Sequence, residues 1–169
     1  MERVILVDES DTPLGTMEKM EAHEKGVLHR AFSVFIFNSN GEMLLQQRSF
    51  SKYHSGGLWT NTCCSHPREG ETTIEAAHRR LQEEMGFDCE IEKAFDFIYK
   101  KELDKGLIEH EFDHVFIGKH EGEVKFNPNE VNTYVYKPVQ EVLNEALLFP
   151  EKFTEWFKIC LSEVVKRTL

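Results

Sequence analysis

A thiol and an imidazole lie two residues apart in a polar segment of the chain. Residues 59–67 read Trp-Thr-Asn-Thr-Cys-Cys-Ser-His-Pro and include Cys63, Cys64 and His66. Both side-chain types act as metal ligands, bases or nucleophiles, so this segment is the strongest candidate for chemistry. Two alternatives stay open: the cysteines could be small buried hydrophobic residues, or the segment could hold a structural zinc ion. The zinc alternative is the weaker one, because no second Cys-x-x-Cys or His-x-x-x-His element lies at the usual spacing.

Two glutamates form a second candidate. Glu109 and Glu111 flank His110 in a strand-like segment, and residues two apart on a strand share one face. Phe112 and Phe116 are then expected on the opposite, apolar face. Paired carboxylates repel each other unless a cation or a shared proton lies between them or water surrounds them. The pair is therefore either a cation site or a solvated strand face.

Two further histidines could complete a metal site. His23 and His29 flank Gly26 at a spacing that fits no single face of a helix, so they converge only if the loop between them folds back. Taken separately, each is an ordinary histidine. Taken together with the residues above, they would form a five-ligand site of nitrogen and oxygen donors, suited to manganese, zinc or magnesium. The complete set is His23, His29, His66, Glu109 and Glu111.

An amphipathic helix is predicted over residues 72–85, with a threonine at its start as the N-cap and Gly86 as its stop. Its apolar positions recur at spacings of three and four: Ile74, Ala77, Leu81 and Met85. Arg80 and Glu84 are four residues apart, which alone indicates a surface salt bridge. In the functional alternative, Glu83 and Glu84 supply oxygen to a magnesium ion that also holds a diphosphate.

The elements that must position these residues alternate between strand and helix patterns. Residues 31–48 are predicted to form a β-hairpin around an Asn-Gly turn, and the tail is predicted to be helical on both sides of Pro150. Further strand-like segments lie at residues 90–99, 109–117 and 132–137. The mixture predicts the α/β or α+β class, with a mixed sheet covered by helices in one domain that spans residues 1–169.

Composition and charge narrow the functional class. A net charge of −10 over 169 residues argues against nonspecific nucleic-acid binding, so an anionic ligand needs bound cations or a local cluster of Lys and Arg. The chain lacks an apolar run of about 18 residues and a secretory pattern at its N-terminus, so we expect a soluble, cytoplasmic protein without a membrane partner. The four cysteines include an adjacent pair and are expected to be free thiols.

The helix and the segment before it resemble the signature of the Nudix proteins. That signature is Gly, five residues, Glu, seven residues, and Arg-Glu-hydrophobic-x-Glu-Glu-x-Gly-hydrophobic. Here Ser65 is followed after five residues by Glu71, and after seven more by Arg-Arg-Leu-Gln-Glu-Glu-Met-Gly-Phe, which begins at Arg79. The resemblance implies a Nudix fold, a mixed sheet sandwiched by helices. Ser65 replaces the first glycine, and Arg80 replaces a glutamate that helps Nudix pyrophosphohydrolases to bind metal, so hydrolysis is not expected.

The same departures resemble the type I isopentenyl-diphosphate isomerases. These proteins share Thr-Asn-Thr-Cys-Cys-Ser-His-Pro and the Glu-x-Glu pair, and the resemblance runs from about Val4 to Trp156. It implies interconversion of isopentenyl and dimethylallyl diphosphate in isoprenoid biosynthesis, by protonation and deprotonation through a carbocation. Cys64 would be the catalytic thiol, and Glu111, with Tyr99 beside it, would be the acid–base partner on the opposite face of the alkene.

The resemblance also implies two metal ions and an anion site. The three histidines and two glutamates of the five-ligand set would bind one divalent ion, Mn²⁺ or Zn²⁺. Glu84 would hold a Mg²⁺ ion that meets the diphosphate, and Trp156 would face the cationic carbon. The basic residues that would neutralise the diphosphate oxygens are Lys19, Arg48, Lys52 and Arg80.

Two other functions fit parts of the pattern. One is a Nudix hydrolase that cleaves a nucleoside diphosphate or another diphosphate; Arg80 speaks against it, and release of phosphate would speak for it. The other is a metal-stabilised binding protein, in which substitution of Cys64 would leave ligand binding intact. In each case the partner is a small molecule, and the chain is expected to be a monomer or a homodimer.

Overall fold

Nine strands and four helices make up most of residues 1–168, which are the residues that the computed structural model describes. The strands β1 to β9 are Arg3–Val7, Pro13–Glu18, His29–Phe37, Glu42–Arg48, Trp59–Thr60, Cys63–Ser65, Ile91–Glu102, Ile108–Lys119 and Val131–Pro138. The helices α1 to α4 are Lys19–Lys25, Thr73–Met85, Val139–Leu148 and Glu155–Thr168.

The sheet is mixed, and its centre is β3. This strand runs parallel to β8 along its whole length and antiparallel to β1 and β6, while β7 extends the sheet beyond β8. Alternate side chains of β3 enter two different apolar clusters, one with α2 and the other with α3 and α4. Helices therefore cover both faces of the sheet, which confirms the predicted fold class. It also explains why β3 carries mostly apolar side chains on both faces from Ala31 to Phe37.

The predicted hairpin at residues 31–48 is correct at its turn and wrong in its extent. Asn38 Oδ1 accepts hydrogen bonds from the backbone of Asn40 and Glu42, but β3 and β4 pair only at Phe37 and Met43. Beyond that pair the strands separate, and the polar segment before Cys63 fills the gap. Thr62 Oγ1 accepts from Ile36 N at 3.0 Å and donates to Leu44 O at 2.7 Å, so one hydroxyl bridges the two strands.

Helix α2 has a clear sequence signal at each of its ends. Thr72 and Glu75 form a reciprocal capping box at its N-terminus, and Gly86, at φ 74°, ends it in the left-handed conformation. A Cβ at Gly86 would lie 2.1 Å from the carbonyl oxygen of Lys125. The stop of the helix thus depends both on the backbone freedom of glycine and on its lack of a side chain.

We expect Gly86→Ala to destabilise the protein more than Gly70→Ala does. Both glycines have positive φ, but a Cβ at Gly70 would meet nothing within 4 Å. Gly70→Ala therefore costs only the left-handed conformation, about 1–2 kcal/mol. Gly86→Ala adds an overpacking cost of about 1–3 kcal/mol. Urea denaturation of the two variants measures the difference, and equal losses would contradict the role of the Lys125 contact.

The two C-terminal helices pack on one face of the sheet. Helix α4 lies in the tail predicted to be helical, and it buries an apolar stripe of Trp156, Phe157, Cys160, Leu161, Val164 and Val165. Phe153, just before the helix, is buried beside Phe157 in the same cluster. Within residues 1–168, no helix combines the length and the apolar character that crossing a bilayer requires.

Candidate active site

The junction between α1 and β3 brings His23 and His29 together. Helix α1 ends at Gly26, whose backbone is left-handed at φ 67°, and β3 begins with His29 three residues later. The chain therefore reverses, and the two imidazole rings lie 5.0 Å apart between centroids. Both side chains are fully buried. The short helix α1 and Gly26 thus bring together two histidines whose spacing in the sequence does not by itself predict that they meet.

Strand β8 presents Glu109 and Glu111 on one face beside Tyr99 of β7. Both glutamates are buried, with exposed fractions of 3% and 5%, so the solvated-face alternative is wrong. The Tyr99 hydroxyl contacts Glu109 and lies 2.5 Å from Glu111 Oε1, so a single O–H proton lies between two carboxylates. The side chains on the other face of β8 enter apolar clusters, as alternation predicts: Phe112 and Phe116.

Two imidazoles hold the other oxygen of Glu111. His66 Nε2 lies 2.8 Å from Glu111 Oε2, and His29 Nε2 lies 3.1 Å from the same atom. Burial alone would raise the pKa of Glu111, but the hydrogen bonds and charges of His29 and His66 lower it well below its usual value. Burial opposes a charge on His29 as well, yet the contact with Glu111 raises the pKa of that imidazole.

Glu109 lies beside His23 and a fourth imidazole, His54. The distances from Glu109 Oε2 are 2.9 Å to His54 Nε2 and 3.8 Å to His23 Nε2. Burial, together with the neighbouring His66, lowers the pKa of His23 to about 3, so this ring is neutral near pH 7. The side chains form two groups of metal-ligating atoms that share His23: one with His29, His66 and Glu111, and one with His54 and Glu109.

The arrangement of the imidazoles fits a bound metal ion. His23 Nδ1 and His29 Nδ1 each lie 2.8 Å from a backbone carbonyl, of Lys19 and Val27 respectively. Such contacts place the proton on Nδ1 and leave Nε2 free to ligate. The buried Nε2 atoms of His23 and His54 have no hydrogen-bond partner among residues 1–168. Orphaned nitrogens beside buried carboxylates match the donor chemistry of manganese or zinc better than that of magnesium.

The adjacent cysteines point to opposite faces of β6. Cys64 lines a pocket together with Glu111, whereas Cys63 is buried in the apolar cluster under α2, with Sγ 3.2 Å from Glu84 Oε2. Burial raises the pKa of the Cys64 thiol, and the guanidinium of Arg48 acts in the opposite sense. The four cysteines are free thiols, which confirms the prediction.

Basic residues surround the same pocket. The four predicted anion-binding residues all line it: Lys19, Arg48, Lys52 and Arg80. Lys19 is paired with Glu2 at 2.9 Å, and Lys52 is paired with Glu130. Ion pairs between partly exposed groups are worth about 1 kcal/mol or less, so an incoming polyanion can compete for these cations.

Trp156 forms part of the pocket wall and is almost completely buried. Its indole Nε1 donates to Asn61 Oδ1 at 3.2 Å, which fixes the orientation of the ring. The guanidinium of Arg48 lies 5.3 Å from the ring centroid, and the ring of His54 meets the indole edge-to-face at 5.8 Å. The indole therefore joins the histidine cluster to the basic side of the pocket.

Glu84 lies apart from the histidine cluster. Its side chain is buried against Cys63, Gln46 and Arg80, with Arg80 Nη2 at 3.2 Å from Glu84 Oε2. Arg80 lines the pocket, whereas Glu84 contacts Arg80 without lining it. Glu83 is more exposed and accepts a hydrogen bond from Arg80 at 2.7 Å. The salt bridge predicted between residues 80 and 84 is present, but it is largely buried.

Several residues that line the pocket were not predicted from the sequence. Tyr53 and His54 directly follow Lys52 and line the pocket. A phenol and an imidazole beside a basic residue in a glycine-rich loop could have indicated that this loop belongs to the site. No local pattern marks two acidic residues that line the pocket, Glu2 and Glu130. Asp113 continues the alternation of Glu109 and Glu111 along β8 but lies behind the pocket wall; burial raises its pKa, and Ser33 Oγ donates to it at 2.8 Å.

Known proteins match the chain along nearly its whole length. The NUDIX domain family matches residues 27–157. An isopentenyl-diphosphate Delta-isomerase from Pectobacterium atrosepticum is 53% identical, over 95% of this chain and 90% of its own length. An isopentenyl-diphosphate Delta-isomerase 2 from Aromatoleum aromaticum is 50% identical, over 97% of this chain and 87% of its own length.

Solved structures share the fold at lower identity. The crystal structure of DR0079 from Deinococcus radiodurans is 21% identical, covers 99% of both chains and has a TM-score of 0.78. The MutT protein from Methanosarcina mazei is 20% identical, covers 83% of this chain and 94% of its own, and has a TM-score of 0.66. These two likenesses show the fold, and the close relatives show the family. The chain belongs to the isopentenyl-diphosphate Delta-isomerases, within the wider set of proteins that share the NUDIX domain.

Proposed function

We infer that the chain interconverts isopentenyl diphosphate and dimethylallyl diphosphate, a step of isoprenoid biosynthesis. The relatives from Pectobacterium atrosepticum and Aromatoleum aromaticum carry this activity in their names. The single observation that supports it most strongly is the pocket itself: Cys64 and the Tyr99-bound Glu111 converge on one buried space with a basic rim. An alkene requires two proton-transfer groups, and a diphosphate requires the cations.

Two groups would share the proton transfers. The Glu111 side, with the Tyr99 hydroxyl on its Oε1, would add a proton to the exomethylene carbon of isopentenyl diphosphate, which leaves a tertiary carbocation. Cys64, as the thiolate, would remove a proton from the carbon next to the cation, so that the double bond re-forms one position along. Burial raises the pKa of Cys64 and so disfavours the thiolate, while the guanidinium of Arg48 favours it; a thiolate that forms in this setting is a strong base.

The carbocation must be protected from water and stabilised. Trp156, with an exposed fraction of 2%, closes one side of the pocket, and the face of an indole stabilises a desolvated cation by about 2 kcal/mol. Cys64 packs against the apolar cluster that contains Trp156, so this wall of the pocket is backed by apolar side chains. Exclusion of water favours proton loss from the cation over its capture as an alcohol.

The diphosphate would be an anchor and not a reacting group. Lys19, Arg48, Lys52 and Arg80 would bind its oxygens, and this remote binding energy would orient the alkene between the two proton-transfer groups. Glu84 would hold the Mg²⁺ ion that meets the diphosphate. Arg80 stands where Nudix hydrolases carry a glutamate, and its guanidinium pairs with Glu84. A cation at that position would bind the phosphate groups, whereas a glutamate would bind a metal ion that activates water for hydrolysis.

The histidine cluster would hold a second ion, Mn²⁺ or Zn²⁺. When bound, such an ion supplies positive charge that offsets the two buried carboxylates and makes Glu111 a weaker base, which favours proton donation. Glu111 is thus proposed both as a ligand and as a member of the acid pair. A cytoplasmic location and a monomeric or homodimeric state remain predictions.

Incubation of the purified protein with isopentenyl diphosphate and Mg²⁺ tests the proposed activity. We expect dimethylallyl diphosphate to accumulate to an equilibrium mixture with no release of phosphate or diphosphate. Phosphate or diphosphate without the isomer would favour the hydrolase. Binding of isopentenyl diphosphate without any product would favour the metal-stabilised binding protein.

We expect Mg²⁺ to bind more tightly in the presence of isopentenyl diphosphate than in its absence. Glu84 alone offers Mg²⁺ one carboxylate, and phosphate oxygens must complete the shell. Isothermal titration with Mg²⁺ measures both affinities, and isomerisation does not consume the diphosphate during the experiment. Glu84→Gln should remove most of the difference. Equal affinities with and without the diphosphate would contradict the assembled site.

A further inference from the structure

His54 is the one imidazole of the cluster that the five-ligand set leaves out. It lies in the loop between β4 and β5, with an exposed fraction of 1%. Arg48 Nη2 donates to its carbonyl oxygen at 3.1 Å, and Ser55 N donates to Asp104 Oδ1 at 2.9 Å, so the loop is held on both sides of the ring. The backbone that carries the imidazole is therefore fixed on both sides.

The Nε2 atom of His54 points into the cluster without a hydrogen bond. It lies 2.9 Å from Glu109 Oε2, but it counts, with His23 Nε2, among the buried polar atoms that have no hydrogen-bond partner in residues 1–168. The other ring nitrogen, Nδ1, is 3.0 Å from Ser55 Oγ. A short approach with poor hydrogen-bond geometry occurs when two atoms are ligands of the same ion and are not donor and acceptor.

The three shortest distances in the cluster match the edges of an octahedron, whereas His23 Nε2 lies farther from Glu109 Oε2, at 3.8 Å. Adjacent ligands on bonds of about 2.1 Å lie about 3 Å apart. The closest nitrogen–oxygen distances are 2.8 Å for His66 and 3.1 Å for His29 to Glu111, and 2.9 Å for His54 to Glu109. Within each of the two ligand groups all atoms lie within 4.8 Å of one another, close to the span of about 4.2 Å between opposite ligands. The six atoms do not all fall within that distance, so a single ion would draw the two groups together around His23, which they share.

We propose that His54 is the sixth protein ligand of the metal centre, which then holds one ion with four imidazole nitrogens and two carboxylate oxygens. This rests on the proposed metal centre and adds a property to it. A six-coordinate ion with six protein ligands has no open position, so neither water nor substrate binds to it directly. The ion then acts on the reaction only through the side chains that hold it, above all Glu111.

The presence of a water ligand on the ion tests this directly. The protein is loaded with Mn²⁺ alone, and water-proton relaxation and the electron–nuclear double resonance of ¹⁷O-labelled water report whether the ion carries a water. We expect none in the parent protein. His54→Ala should open one position, so that the ion gains one water and Mn²⁺ affinity falls by at least about ten-fold, the lower end of what the loss of an outer contact costs.

His78→Ala is the matched control. His78 lies on α2 beside Asp88, at a partly exposed site outside the cluster. Its removal should therefore leave the number of waters on the ion and the affinity for Mn²⁺ unchanged. A water on Mn²⁺ in the parent protein would overturn the role of His54 and leave the five-ligand centre intact. This measurement needs no variant, so it decides the matter even if His54→Ala fails to fold.

Two further outcomes are decisive. Two Mn²⁺ ions per chain, of which His54→Ala loses one, would overturn the single six-ligand centre, since the ligand groups would then act separately. Failure of the parent protein to bind Mn²⁺ or Zn²⁺ at all would overturn both this inference and the proposed metal centre. The conversion of isopentenyl diphosphate is measured independently and tests the isomerase alone.

Discussion

Replacement of Cys64 by alanine is expected to lower kcat by about 10²–10⁴, the range for loss of a general base. Cys64 lines the pocket with Glu111 and Trp156, and no other thiol among residues 1–168 does. The alanine removes the proton acceptor and leaves an apolar surface on which the carbocation cannot lose its proton. Steady-state kinetics with isopentenyl diphosphate measure the change, and KM should move much less because the rim that binds the diphosphate is intact.

Cys63→Ala is the matched control. Cys63 is one residue away and equally small, but it faces the cluster under α2, where its thiol contacts Glu84. Its replacement leaves that contact unmade and should cost about 1 kcal/mol of stability while most of the activity remains. Comparable losses of kcat in both variants would contradict the assignment of Cys64 as the proton acceptor.

The second large effect is expected from Glu111→Gln. The amide keeps the shape of the side chain and an oxygen that can ligate metal, but it cannot give or take the proton. We expect kcat to fall by about 10²–10⁴. Circular dichroism should show a folded protein, and metal analysis at saturating metal should show a bound ion. An active Glu111→Gln protein would rule out the role of Glu111 in proton transfer.

Glu109→Gln separates proton transfer from metal binding. Glu109 lies on the same face of β8, contacts the same Tyr99 hydroxyl and belongs to the same proposed ligand set. Its amide should weaken metal binding about as much as that of Glu111 does. At saturating metal, however, Glu109→Gln should keep far more activity than Glu111→Gln. If the two variants are equally inactive when loaded with metal, Glu111 serves only as a ligand.

Local patterns predicted those parts of the protein that depend on local physics. Helix α2 begins and ends where its threonine and Gly86 indicate, because caps satisfy backbone groups close in sequence. The alternation along β8 placed Glu109 and Glu111 on one face, because successive strand residues point in opposite directions. The Nudix fold and the isomerase family followed from motifs whose spacing is similarly short.

Long-range pairing decided what the patterns missed. The separation of β3 from β4 depends on Thr62, whose hydroxyl bridges them from another part of the chain. His54 reaches Glu109 only because its loop packs against residues far away in sequence, among them Asp104. The burial of Glu84 behind Arg80 also depends on long-range packing. The i,i+4 spacing predicts the salt bridge between the two residues but not whether solvent reaches that salt bridge.

The most direct test of the isomerase mechanism is the reaction of isopentenyl diphosphate in D₂O, followed by ¹H and ²H NMR. Protonation of the alkene by an enzyme group that exchanges with solvent puts deuterium into the methyl group that derives from the exomethylene carbon. We predict dimethylallyl diphosphate with deuterium in that methyl group, an intact diphosphate, and no label when Cys64→Ala or Glu111→Gln replaces the parent protein. Dimethylallyl diphosphate without deuterium, or free phosphate without the isomer, would contradict the mechanism.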